Sequence, residues 1–248
     1  MGSEMCIRDS ARPARGMLTR PPLDDIWAYR EHVDLSMARL LDCGDGFGGG
    51  LNADVLSIIE IGLHHEMQHQ ELMLTDIKHV LYQNSFNHGF RPSDATAGAC
   101  AEKVKPMQFR RYDGGLVQVG HDGKSFSYDC EQPEHTTWLA PFEFADKTVC
   151  NADWLAFMND GAYSEPLLWL SDGWYALNKQ HWLAPLYWQL IDGQWCQFDG
   201  QAMRPVDPAA PVCHISYYEA DAFARWAGKR LPTAVSYTHL TLPTIYSV

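Results

Sequence analysis

The sequence has no CxxC pair, no excess of positive charge, and no apolar run of the roughly 18–20 residues that a bilayer span requires. Each absence removes a class of protein. Without cysteines at ligand spacing, neither a zinc ribbon nor a redox dithiol is written here. The tightest apolar cluster, residues 56–63, is broken by Ser57, Glu60 and Gly62, which leaves no membrane partner to expect. Thirty-one acidic residues against nineteen basic ones give a formal net charge of −12. Nucleic-acid phosphate is a poor partner for such a surface. One glycine-rich stretch, residues 44–50 (GDGFGGG), has no Gly-Lys-Ser/Thr after it and no strand pattern before it. It reads as a helix–helix connection, not a phosphate cradle.

What is present is a packed globular composition, 46% hydrophobic and 20% charged, in a chain of 248 residues. That length suits one large domain or two ordinary ones. The seven cysteines (Cys6, Cys43, Cys100, Cys130, Cys150, Cys196, Cys213) are dispersed and odd in number. With no secretory leader pattern, they read as thiols of a reducing, cytoplasmic protein, with Cys196 and Cys213 as core residues. Residues 1–10 show no helical or strand period, and residues 235–248 contain no Asp, Glu, Lys or Arg. Both strings resemble translated sequencing adaptor and are read as non-native tails.

Between them the texture changes once. After a basic, Pro/Gly-punctuated loop, Pro21-Pro22 can open a helix in which Ile26, Tyr29, Arg30, Val33, Met37, Leu40 and Leu41 recur at three-to-four spacing, stopping at Cys43-Gly44. Asn52 or Asp54 can cap a second helix running to about Tyr82, with Leu56, Ile59, Leu63, Leu72, Leu74, Ile77 and Val80 apolar. Residues 84–107 read as a linker. Beyond it, short alternating runs at 116–119, 136–139 and 142–144 lie between Gly, Pro and Asp turns. Two short helices are expected there, one capped by Asn151 and one through residues 217–226, with aromatics crowding 169–198. The fold class is therefore α+β: a helical bundle piece at 11–83, then an irregular mixed domain at 108–234.

The second helix carries the chemistry. In GLHHEMQHQEL (residues 62–72), His65 and His69 are four apart, so they project within roughly 40° of each other and about 6 Å along the axis. Two imidazoles so placed can share one metal ion, and Fe(II), Zn and Cu all suit them. His64, roughly 100° away, does not join easily. Gln68 neighbours the pair and can present its amide to something bound at the metal. His32, on the preceding helix, is a third-ligand candidate by position alone. His65-Glu66-Met67-Gln68-His69 also matches HExxH, which gives a rival reading as a zinc metallohydrolase using Glu66 to activate water. The metzincin extension fails, because Leu72 and Thr75 stand where glycine and histidine are needed. A non-catalytic binding module that kept the fold without the metal is a third reading.

Three stretches carry a resemblance to the ergothioneine-biosynthesis sulfoxide synthase (EgtB) family. They are ARGMLTRPPLDDIWAYREHVD (14–34), GLHHEMQHQELMLTDIKH (62–79) and a discontinuous set across 127–233 that includes LWLSDGW, APLYW and RPVDPAAPVCHISYYEADAFARWAGKRLPT. The second stretch is similar to the metal helix of a DinB-like bundle. The third set is similar to the formylglycine-generating-enzyme (sulfatase-modifying factor) domain, a C-type-lectin-like fold. The resemblance implies a mononuclear non-haem Fe(II) held by three histidines, two of them His65 and His69. It further implies Gln68 at the imidazole of hercynine and Arg20, in preference to Arg15, at the carboxylate of the thiol donor. The implied substrates are hercynine, cysteine or γ-glutamylcysteine, and O2, with a selenoneine-forming variant also open. The family's first iron ligand and its catalytic C-terminal segment have no counterpart here, so the 248 residues themselves are expected to be inactive.

Overall fold

The computed structural model describes residues 21–42, 52–83 and 105–237. They divide into two compact units, with the boundary between Met67 and Gln68. That boundary falls inside one uninterrupted helix.

The first unit contains α1 (Leu23–Asp42) and the first half of α2 (Ala53–Gln83). The carbonyl of Pro22 accepts from the Ile26 amide, and Asp24 and Asp25 place negative charge on the first turn, where exposed amides and the helix dipole favour it. Between the two possible caps of α2, the structure selects Asn52, whose Oδ1 accepts from the Val55 amide at 2.8 Å. The expected apolar positions are all on α2, yet none of its 31 residues is buried. Leu63 and Val80, for example, remain 62% and 60% exposed.

The second unit continues α2 from Gln68 and then, among the described residues, builds three small sheets and three short α-helices. Strands β1 (Phe109–Tyr112) and β4 (Phe142–Ala145) pair antiparallel, from Phe109 opposite Ala145 to Tyr112 opposite Phe142. Nested between them in sequence, β2 (Gly115–Val119) pairs with β3 (His135–Leu139), with Val117 opposite Thr137. Strands β5 (Trp188–Ile191), β6 (Gln194–Phe198) and β7 (Met203–Pro205) form an antiparallel meander. Asp192 and Gly193 join β5 to β6, both at positive φ (48° and 80°), which is what a two-residue hairpin turn with the sheet's own twist demands.

Helices α3 (Asn151–Asn159), α4 (Ser171–Gln180) and α5 (Tyr217–Trp226) enclose the core. Trp154, Phe157, Tyr163, Trp169, Leu177 and Phe223 are all buried there, and the Trp154 and Phe223 rings stack at 5.1 Å. Ser216 caps α5 reciprocally: its Oγ accepts from the Glu219 amide, and a Glu219 carboxylate oxygen accepts from the Ser216 amide at 2.7 Å. At Gly173 the close approach of α4 to α5 leaves no room, because an added Cβ would lie 2.7 Å from the Tyr218 Cβ.

Three expectations change. Helix α3 starts from Cys150, not from an Asn151 cap. Asn151 is the first helical residue, 1% exposed, and its side-chain Nδ2 donates to the Asp207 carbonyl. The cap is instead the Asp153 carboxylate, which accepts from the Cys150 amide at 3.1 Å. The second unit has a third helix, α4, whose SDGWYALNKQ sequence hides it behind a glycine and two early polar residues of weak helix propensity. Cys196 is buried as expected, whereas Cys213 is exposed on the loop leading into α5. Of the tyrosines in the second unit, Tyr163 is buried in the core, while Tyr175 and Tyr217 are 65% and 63% exposed.

Candidate functional site

Helix α2 alone sets the spacing of the histidine pair. It runs unbroken through His64, His65, Gln68 and His69, so His65 and His69 keep the i, i+4 relation that places both rings on one side. Both are half-buried, while Glu66 and Gln68 are exposed. This donor set fits an ion that accepts imidazole nitrogen and takes its remaining ligands elsewhere. Among the described residues, no three His, Cys, Asp or Glu side chains gather as a complete metal-binding group. His32 lies exposed on α1, with its carbonyl accepting from the Ser36 hydroxyl. Arg20 and Arg15 lie outside the described residues.

Three turns further along α2, the second unit supplies a cluster that the sequence reading missed. The Lys78 ammonium donates to His214 Nε2 at 2.7 Å and lies 5.0 Å over the Tyr187 ring. His79 Nδ1 is 3.1 Å from the Tyr187 hydroxyl. Tyr82 meets Tyr187 edge-on at 4.9 Å, leans on Phe198, and accepts at its hydroxyl from the Gln189 side-chain Nε2 at 3.0 Å. The His214 ring meets Tyr187 edge-on from another side at 4.8 Å. Burial pushes the Lys78 ammonium below its usual range, with Cys213 and Asp199 opposing. Burial and then the Lys78 charge likewise lower His214, and burial together with Tyr82 raises the Tyr187 phenol.

Part of this cluster is readable in advance. Lys78, His79 and Tyr82 share one face of α2 by spacing alone. Their partners arrive from 107 to 136 residues away in sequence, and no local pattern announces them.

Two further features lie in the second unit. Glu219, 4% exposed, accepts from the Tyr163 hydroxyl at 2.7 Å, and burial followed by that carboxylate's charge pushes the phenol far above its usual range. A cleft of about 1040 Å³ lies along β1, β4 and α5, walled by Phe109, Phe144, Trp154 and Phe223, with Lys147 and Arg230 among its cations.

Comparison with known proteins draws on both parts of the chain. It is 30% identical over 177 residues to hercynine oxygenase of Mycolicibacterium smegmatis, covering 71% of this chain and 39% of the relative. To hercynine oxygenase of Mycobacterium tuberculosis it is 29% identical over 202 residues, 82% of this chain and 44% of the relative. An alignment that long within 248 residues necessarily includes α2. Formylglycine-generating enzyme of Streptomyces coelicolor is 29% identical over 175 residues, covering 60% of this chain. The chain spans about two fifths of the length of the hercynine oxygenases it matches. All three relatives are enzymes by name. No described helix is long and apolar enough to cross a membrane. The sulfatase-modifying factor enzyme 1-like domain matches residues 99–239, and the chain belongs to that family.

Proposed function

We propose that this chain is part of an iron-dependent sulfoxide synthase that couples a cysteinyl thiol to hercynine with O2. The observation that carries the reading is the inclusion of α2, with its His65–His69 pair, in the alignment to a hercynine oxygenase. The family domain by itself ends short of that helix, because its match begins at residue 99.

In this reading His65 and His69 would hold the metal through their ring nitrogens. Bound iron supplies the one-electron redox chemistry that no side chain offers, which O2 requires. Gln68, exposed one residue before His69, can both donate and accept at its amide, which matches the N–H and bare nitrogen of a neutral imidazole substrate. Arg20 would hold the thiol donor's carboxylate through its planar fork of donors. The overall reaction balances as thiol plus imidazole C–H plus O2 giving the C–S sulfoxide and one water. Two electrons leave in forming the C–S bond and two more in oxidising sulfur.

The test is anaerobic Fe(II) titration of the full-length parent protein and of its His65→Ala and His69→Ala variants, followed by thiol–hercynine coupling under O2 read by mass spectrometry. Loss of tight metal binding in both variants, with sulfoxide formed only by the unsubstituted full-length protein, is the expected result. Iron binding untouched by both substitutions, or no sulfoxide from the full-length protein, overturns the reading.

The formylglycine-generating relatives favour a second reading, oxidation of a cysteine in a sulfatase-like peptide. It needs only the second unit. A cysteine peptide incubated with the protein separates the two: aldehyde formation that survives His65→Ala and His69→Ala supports it.

A further inference from the structure

Tyr187 and His214 are two of only four non-glycine residues with positive φ among those described, at 73° and 61°. Positive φ is uncommon for any residue that carries a side chain, and it persists only where surrounding contacts enforce it. Here they do. The Phe198 amide donates to the Tyr187 carbonyl at 2.9 Å, and the Leu186 amide donates to the His214 carbonyl at 3.1 Å. Two loops distant in sequence are thereby tied together, and both rings are delivered to the same face of α2.

That face has a defined relation to the residues upstream. At roughly 100° per residue, Gln68 lies about 20° from His79 and about 40° from Tyr82 around the helix axis, and His69 about 80° from His79. Whatever grips Lys78, His79 and Tyr82 therefore fixes the direction of Gln68 some 16 Å away along the axis.

We infer that Tyr187 and His214 are positioning residues that set the rotation of α2 against the second unit and so aim Gln68. Its consequence for substrate rests on the function proposed above; the seat itself does not. The 2.7 Å contact requires His214 Nε2 to be an unprotonated acceptor for the Lys78 ammonium. Protonation removes the acceptor and sets a second cation beside the first. The other groups facing this contact are Tyr187, its hydroxyl held by His79, together with Cys213 and Asp199, which both lie within electrostatic range of Lys78. A folded His214 whose proton affinity is lowered contributes above its unfolded pKa of about 6.5 and loses that contribution as pH falls below it.

Hydrogen–deuterium exchange of the full 248-residue chain, corrected for intrinsic rates, tests this through peptides spanning 72–83. At pH 8 these amides should be protected, and at pH 5.5 their exchange should speed up several-fold. His214→Gln keeps an amide oxygen for Lys78, so protection at pH 8 should survive while the pH response flattens. Tyr187→Ala should lose protection at both pH values, with peptides of α3 and α5 unchanged. If Tyr187→Ala also unfolds those helices, Tyr187→Phe, which loses only the His79 bond, should show a partial loss confined to 72–83. Unchanged exchange in the Tyr187 variants, or a pH response that survives His214→Gln, overturns the inference. In an active preparation, Tyr187→Phe should raise the KM for hercynine several-fold at similar kcat, and an unchanged KM overturns the aiming of Gln68. A preparation that never uses hercynine refutes the functional reading instead, and the exchange data still decide the seat.

Discussion

Tyr163→Phe isolates one buried hydrogen bond with little change in packing. The Tyr163 ring stays against Phe157 and Trp169, with centroids 5.8 and 5.5 Å away, so a phenylalanine keeps both contacts. What disappears is the hydroxyl that donates at 2.7 Å to Glu219, a carboxylate 4% exposed. The Glu219 oxygen facing Tyr163 is left without that donor, while the other keeps the Ser216 amide. A hydrogen bond to a charged group contributes about 1.5–3 kcal/mol, and a stranded buried acceptor adds to the loss. We expect about 2 kcal/mol at pH 8, measured by urea unfolding of the second unit through tryptophan fluorescence. The pH dependence supplies a sharper check. Native Tyr163 holds its proton well above the ordinary phenol range, so its contribution is complete below an unfolded pKa of about 10 and is lost above it at about 1.4 kcal/mol per pH unit. Phenylalanine has no such loss. The difference between parent and variant should therefore shrink from about 2 kcal/mol at pH 8 to under about 1 kcal/mol at pH 11. A difference that stays constant across that range, or one below about 0.5 kcal/mol at pH 8, refutes the assignment of Tyr163 as the donor to a charged Glu219.

Three other substitutions read separate parts of the molecule. Gly173→Ala gains about 1 kcal/mol of helix propensity but drives a methyl to 2.7 Å from the Tyr218 Cβ, an overpacking worth about 1–3 kcal/mol, so Tm should fall and a rise would refute the tight α4–α5 contact. Asp153 is held below the usual carboxylate range because hydrogen bonds from Cys150 and Lys147 outweigh its burial, so it stabilises above about pH 4 and loses that effect in acid. Asp153→Asn should cost about 0.5–2 kcal/mol at pH 7 and flatten the acid limb of the unfolding curve, and parallel limbs would count against the cap. Glu66→Gln should leave thiol–hercynine coupling within about twofold, whereas abolition of a zinc-dependent peptide cleavage by the same change would revive the hydrolase reading.

Much of the local structure was legible in the chain itself, since its signals are short-range. Asn52 three residues before Val55 writes one cap, and Ser216 three before Glu219 writes another. Alternation at 116–119 and 136–139 writes two strands, and the i, i+4 histidines write a shared face of α2. Asp192-Gly193 was an equally readable hairpin signal. The aromatic wealth of the second half, however, does not say which rings pack. Tyr163 is buried on a carboxylate, Tyr175 stays in solvent, and Tyr187 becomes the seat of a helix.

The sequence by itself determined the α+β class, the net negative charge and the two-histidine face of α2, because composition, periodicity and motif spacing are read along the chain without its fold. Only the tertiary structure decided that Asn151 serves the core and not the cap, that Cys213 faces outward, and that Lys78, His79 and Tyr82 close on Tyr187 and His214. Those pairings join residues more than a hundred positions apart. Their formation depends on loop closure and strained backbone that the rest of the fold must hold in place.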